Sequence, residues 1–142
     1  MKLQRTIVVG KPLDEVFAYL SDFTTTTEWD PGTETTVRQG GDGGAGTTYL
    51  NTSVFLGRKT QLTYTVREFV PGERIQLRGE NKTVVAVDTM SFRSVEAGTE
   101  VTYSAEFTFN GPVRFVAPLF KPAFERLGNQ AEAGMYKALS QL

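Results

Sequence analysis

From Thr33 to Phe109 apolar positions alternate with polar ones, and from Pro112 to Leu142 they return at three- and four-residue spacing. The first rhythm is that of strands with one covered face, the second that of an amphipathic helix. The alternation predicts strands at Leu3 to Val9, Thr33 to Arg38, Thr47 to Phe55, Lys59 to Phe69, Arg74 to Arg78, Thr83 to Ser94 and Glu100 to Phe109. It is clearest in the last, where Val101, Tyr103, Ala105, Phe107 and Phe109 share one face and Glu100, Thr102, Ser104, Glu106 and Thr108 the other. Leu56-Gly57, Pro71-Gly72, Glu80-Asn81 and Ala97-Gly98 supply turns short enough to make successive strands antiparallel neighbours.

Three helical segments are expected. Pro12 opens one over Leu13 to Ser21, with Asp14 and Glu15 in its first turn and Val16, Phe17 and Leu20 on one face. The threonine run before Trp29 limits the second to one or two turns, ended by Asp30-Pro31-Gly32. The long terminal segment carries a stripe of Phe115, Val116, Leu119, Phe120, Phe124, Leu127, Ala131, Met135, Ala138 and Leu142. Pro118 and Pro122 disfavour regular helix at its start, so the regular part is expected from Pro122 to Ser140. Gly134 and Ala131 would let it approach the sheet closely. A helix of this length must lie on a large apolar surface, and the sheet is the one available.

This element order, together with particular residues, resembles a known family. The residues are Leu13 to Leu20 after a proline, Trp29-Asp30-Pro31-Gly32, Phe55-Leu56-Gly57-Arg58, Asp88 to Phe92, Gly98-Thr99 and Pro118 to Leu127. The chain resembles the START and birch-pollen-allergen superfamily (SRPBCC), more narrowly its bacterial polyketide cyclase/dehydrase and lipid-transport branch. That resemblance implies an α+β helix-grip fold, a curved seven-stranded antiparallel sheet around a long C-terminal helix, in one domain spanning the chain. It also implies an apolar cavity opening near the second short helix. The superfamily mixes cyclases, carriers and lipid binders, so fold does not choose among functions.

Composition narrows the chemistry. Histidine and cysteine are both absent, which removes Ser-His-Asp and Cys-His catalysis, thiolate metal ligands and disulfides. No metal or other cofactor is expected. Fifteen basic residues against sixteen acidic ones give a net charge of -1, which provides no broad attraction to nucleic acid or anionic membrane and leaves room for local basic patches. No apolar run is long enough for a signal-peptide core or a membrane span, so a cytoplasmic protein without integral membrane association is expected. Monomer and homodimer stay equally open.

The glycines Gly41, Gly43 and Gly46 fit G-x-G-x-x-G, but a dinucleotide site needs a helix to follow, and Thr47-Thr48-Tyr49 begins a strand. The segment is therefore read as a loop. Asp88 shares the covered face with Met90 and Phe92; a carboxyl there would have its pKa raised by desolvation and could act as acid or base. Tyr64 and Tyr103 are its candidate partners, against the alternative of core tyrosines with satisfied hydroxyls. A two-residue hairpin at Leu56-Gly57 sets Phe55 against Arg58 and Asn51 against Leu62, placing Tyr49, Asn51, Leu62 and Tyr64 on one face. Lys59, Arg67, Arg74 and Arg78 are opposite in phase and belong outside.

The candidate ligand contacts are thus Trp29, Tyr49, Asn51, Phe55, Leu62, Val66, Leu77, Met90, Phe107, Phe120, Phe124 and Leu127. Trp29 serves either as a core cap or as a stacking surface at the cavity mouth. Phe115, Phe120 and Phe124 read first as core, at the wide aromatic end of the hollow. The expected function is binding of a hydrophobic small molecule, a lipid, polyketide or other cyclic metabolite. The rivals are a cofactor-free cyclase/dehydratase using Asp88 with Tyr64 or Tyr103, and a protein-interaction module whose cavity has collapsed.

Overall fold

The computed structural model describes residues Met1–Leu142. Seven strands, β1 (Lys2–Val9), β2 (Thr33–Gly40), β3 (Thr48–Phe55), β4 (Arg58–Val70), β5 (Arg74–Glu80), β6 (Val84–Val95) and β7 (Gly98–Phe109), form one antiparallel sheet in the order β1-β7-β6-β5-β4-β3-β2. Strands β2 to β7 are a meander, and β1 closes on the last strand with Leu3 opposite Ala105 and Ile7 opposite Val101. The chain crosses from β1 to the far edge through α1 (Leu13–Ser21), a 3-10 turn at Phe23–Thr25 and α2 (Thr26–Trp29). After β7 come a single turn α3 (Val113–Val116), a 3-10 turn at Ala117–Phe120 and the long α4 (Lys121–Ser140). This is the helix-grip fold.

The hairpin register matches the two-residue turn: Phe55 pairs with Arg58, Asn51 with Leu62 and Tyr49 with Tyr64. Leu56 and Gly57 both take positive φ, the conformation such a turn demands. In β4 the pairing shifts between Val66 and Glu68, an extra residue that lets Phe69 rejoin the covered face.

The threonine run has a use that propensity does not reveal. The Asn51 amide donates to Thr36 Oγ1 (2.9 Å), which meets Thr26 Oγ1 (2.6 Å), which in turn donates to the Phe23 carbonyl (2.8 Å). Thr27 Oγ1 accepts from the Thr36 amide (3.0 Å). These bonds pin α2 to β2 in a buried setting where each unpaired group would be costly.

Two expectations for the terminal segment need correction. The stripe is not continuous: Phe115, Val116, Leu119 and Phe120 are exposed, and the buried face begins at Phe124 and continues through Met135 and Leu139. Pro118 lies in the 3-10 turn that separates α3 from α4 and Pro122 in the first turn of α4, so the earlier residues are off the α4 face. Gly134 also does not face the sheet. A Cβ on Gly134 would fall on the Trp29 carbonyl oxygen, at the end of α2. The helix is held to the sheet at its other end by Arg5 of β1, which reaches Glu125 (3.0 Å), Glu132 (3.4 Å) and Asn129 Oδ1 (3.0 Å).

Candidate ligand site

Successive inner-face residues of β6 are Val84, Ala86, Asp88, Met90 and Phe92, all buried. The register places Asp88 between Leu77 of β5 and Ala105 of β7, and Gly79 beside Ala86. The Tyr64 ring lies over Gly79, where any Cβ would come within 2.6 Å of it. Gly79, Ala86 and Ala105 thus clear room for a carboxyl and two phenols on an otherwise apolar surface.

Asp88 is 3% exposed, and its Oδ2 accepts from the Tyr103 hydroxyl at 3.0 Å. Its Oδ1 is buried without any hydrogen-bond partner. Desolvation is the main cause that pushes the Asp88 pKa up to about 7; the Tyr103 bond opposes it, and the Asp30 charge adds to it. Tyr103 and Tyr64 are both raised well above 10, first by burial and then by the Asp88 carboxylate. No hydrogen bond engages the Tyr64 hydroxyl. The three candidate catalytic side chains therefore form one interior cluster with two uncommitted polar groups, Asp88 Oδ1 and Tyr64 Oη.

Asp30 belongs to the electrostatics of this cluster, although its sequence setting marks it only as a turn residue. Its carboxylate accepts from the Gly32 amide (3.0 Å) and Thr33 Oγ1 (3.0 Å). Burial raises its pKa and those two bonds lower it. The Asp-Pro-Gly spelling is the available signal, since such a turn brings the acid onto the Gly32 amide and the Thr33 hydroxyl.

The candidate contacts separate into three groups. Leu77, Met90 and Val66 are fully buried around the acid. Phe55, Phe107, Phe120 and Phe124, joined by Phe109, form a ring cluster at the far end, with Phe55 and Phe124 stacked at 4.6 Å and Phe107 and Phe124 at 5.2 Å. Phe109 is a contact that sequence reasoning missed, and its signal is the β7 alternation that puts it in phase with Phe107. Between the two groups Phe55, Tyr103, Phe107, Phe109 and Leu127 keep part of their surface accessible although they face inward. Leu62 is buried, and Leu127 leans on Gly32.

The third group is engaged elsewhere. The Asn51 polar atoms bond Thr33, Thr36 and Ser53. Tyr49 is buried against Phe23, at the α1 end of the sheet. Trp29 is buried, edges the Tyr103 ring at 5.8 Å and donates its indole N–H to Thr25.

Two of the hollows in the structure open on the outside beside these residues. One, of about 590 Å³, lies between Tyr19, Glu28 and Asp30 on one side and Gly134, Lys137 and Gln141 on the other. The second, of about 470 Å³, lies between Asp22, Arg38, Tyr49, Phe69 and the glycine loop. Neither includes Asp88, so neither carries the acid-tyrosine chemistry. The glycine loop folds back onto β4 through a Gly46 N–H to Val66 carbonyl bond (2.9 Å) and leads into a strand, without the helix a phosphate site needs.

Fold and interior together define a helix-grip domain with a buried acid-tyrosine cluster. The chain belongs to the polyketide cyclase / dehydrase and lipid transport family, whose sequence profile matches residues 1–139. Among solved structures it resembles the ZhuI aromatase/cyclase of Streptomyces sp. R1128, with a TM-score of 0.82, 14% identity, and coverage of 99% of this chain and 94% of that one. It also resembles TTHA0849 of Thermus thermophilus (TM-score 0.81, 14% identity, 96% and 95% coverage). The match to Ara h 8.0201 is looser (TM-score 0.63, 15% identity, 95% and 97% coverage). At these identities the likeness establishes the fold alone. No curated protein sequence matches the chain.

Proposed function

We propose that the protein binds one hydrophobic small molecule carrying a polar oxygen. The apolar body would lie against Phe55, Phe107, Phe109, Phe124 and Leu127, and the oxygen would meet Asp88 and Tyr64. The observation that carries this reading is Asp88 Oδ1, a buried oxygen without a hydrogen-bond partner, with the Tyr64 hydroxyl near enough to feel the Asp88 charge. A buried polar atom without a partner costs about 1–3 kcal/mol, and a ligand oxygen that supplies the partner recovers it. With its pKa near 7 the acid is half protonated at neutral pH, so it can donate to a ketone or accept from a phenol.

A second reading, a cofactor-free cyclase/dehydratase, is favoured by that same pKa, because an acid poised near the working pH suits proton transfer. Asp88 would take or give the proton, Tyr103 would hold the carboxyl in place, and the walls would select the ring closure. The structural likeness to an aromatase/cyclase fits this reading without requiring it.

Tyr64→Phe tests the binding reading. The hydroxyl makes no protein bond, so the melting temperature should stay within about 2 °C, while affinity for a bound hydroxylated aromatic should fall about five- to tenfold. Native mass spectrometry of protein purified from its own host supplies the ligand, and titration of protein and variant supplies the affinities. An empty protein that takes up no hydrophobic phenol or ketone, or equal affinity in both forms, would overturn the reading.

A further inference from the structure

The corrected stripe leaves an apolar surface with no partner in the chain. Phe115 is 72% exposed, Leu119 76% and Leu56 61%, with Val116 and Phe120 beside them. Phe115 and Leu119 are four residues apart across the α3 turn and the 3-10 turn, and the β3–β4 hairpin tip that carries Leu56 joins them where Phe55 meets the Phe120 ring at 6.4 Å. Exposed side chains of this size, gathered at one end of a chain, mark an interaction surface.

Charge identifies the occupant. The same end carries Arg58 at the hairpin, Lys82 in the β5–β6 turn, and Arg114, Lys121 and Arg126 along the terminal segment, all exposed and none in an ion pair. The nearby carboxylates are mostly committed: Glu34 to Lys59, Glu80 to Arg78 and Glu125 to Arg5. Glu106 lies on the outer face of β7. A chain of net charge -1 therefore presents a positive rim around an apolar tip.

We infer that this end, Leu56 with Phe115 to Phe120, docks on an anionic phospholipid surface. The apolar side chains enter the interfacial region and the five cations meet lipid headgroups, the combination that holds interfacial segments on membranes. A second copy of the chain is a poorer occupant, because it would set one positive rim against another. A nucleic acid is poorer too: most of the patch is aliphatic, and the Phe115 face is covered by the Arg114 guanidinium at 4.7 Å. The inference does not depend on whether the interior holds a ligand.

The test is co-sedimentation of the full chain with vesicles of phosphatidylglycerol and phosphatidylcholine, against phosphatidylcholine alone, at low and high salt. Binding is expected to the anionic vesicles at low salt and to weaken with salt. The double variant Phe115→Ser with Leu119→Ser should lose at least tenfold in partition. Arg114→Gln with Lys121→Gln should lose about fivefold for each cation removed. Both pairs are exposed, so melting temperatures should hold; the charge pair keeps the test decisive should the apolar pair unfold. The inference is overturned by no binding to anionic vesicles at low salt, or by binding that both variants leave unchanged. It is overturned equally by a dimer in sedimentation that the apolar pair dissolves, or by a single-stranded oligonucleotide that binds more tightly than the vesicles.

Discussion

At pH 8 the Asp88→Asn variant is expected to be about 3 kcal/mol more stable than the natural protein, roughly 10 °C in melting temperature, and to lose that advantage entirely by pH 4. The sign follows from the direction of the shift. Burial raises the Asp88 pKa from 3.8 in the unfolded chain to about 7 in the folded one. Between these values the folded state holds a proton that the unfolded state has released, so stability falls as pH rises through that window. Below pH 4 the acid is neutral in both states and costs nothing; above pH 7 the full penalty, about 4 kcal/mol, is in place. Asparagine keeps the acceptor for the Tyr103 hydroxyl and carries no charge, but its amide donors inherit the site where Oδ1 has no partner, which costs about 1 kcal/mol. Asp30, also raised by burial, keeps its own pH dependence in the variant. Thermal unfolding of both proteins at pH 4 and pH 8 measures the difference; an equal offset at the two pH values would show that the carboxyl is not held neutral. The same variant separates the two functional readings. A carrier should keep its ligand within about tenfold, whereas an enzyme that moves protons through Asp88 should lose turnover by about 10²–10⁴.

Gly134→Ala is expected to destabilise the protein by about 3 kcal/mol, although alanine is the better helix former by about 1 kcal/mol. The added methyl would coincide with the Trp29 carbonyl oxygen and approach the Trp29 carbonyl carbon to 3.1 Å. Backbone at the end of α2 cannot step aside, because Trp29 is buried and Asp30 caps the turn behind it. Either α4 lifts or α2 moves, and both loosen the packing of Trp29 on Tyr103. Gly128→Ala is the control on the same helix. Its methyl meets chiefly the Arg5 guanidinium, 2.9 Å from Nη2, and a side-chain tip can shift. The gain in helix propensity and the cost of displacing Arg5 then offset each other, leaving stability within about 1 kcal/mol. Denaturant midpoints of the two variants test the contrast. If both are neutral, α4 does not sit on α2 as described.

The features legible in the sequence are those that act between near neighbours. Alternation along β6 and β7 assigns their inner faces residue by residue, the Leu56-Gly57 pair sets the β3–β4 register, and from these the inward placement of Asp88 and Tyr64 follows. Pro12 and Asp30-Pro31-Gly32 bound the short helices for the same reason, since turn and cap chemistry is written within a few residues. The G-x-G-x-x-G spacing is legible as a loop because the following residues decide whether a helix is there. Candidate contacts are harder: Asn51 and Trp29 are inward as expected, yet their polar groups go to threonines that periodicity cannot connect to them.

The sequence by itself therefore determined the strands, the successive pairing of those joined by tight turns, the extent of the long helix and the face of each strand, because spacing of two or 3.6 residues and turn chemistry are local properties. Tertiary structure alone decided that Asp88 keeps one oxygen unpartnered, that Asp30 joins its electrostatics, that Gly134 meets α2, and that Phe115 and Leu119 leave the core for the surface. Each of these depends on the distance between residues far apart in the chain, and burial, which sets both pKa and packing, exists only once those residues have been brought together.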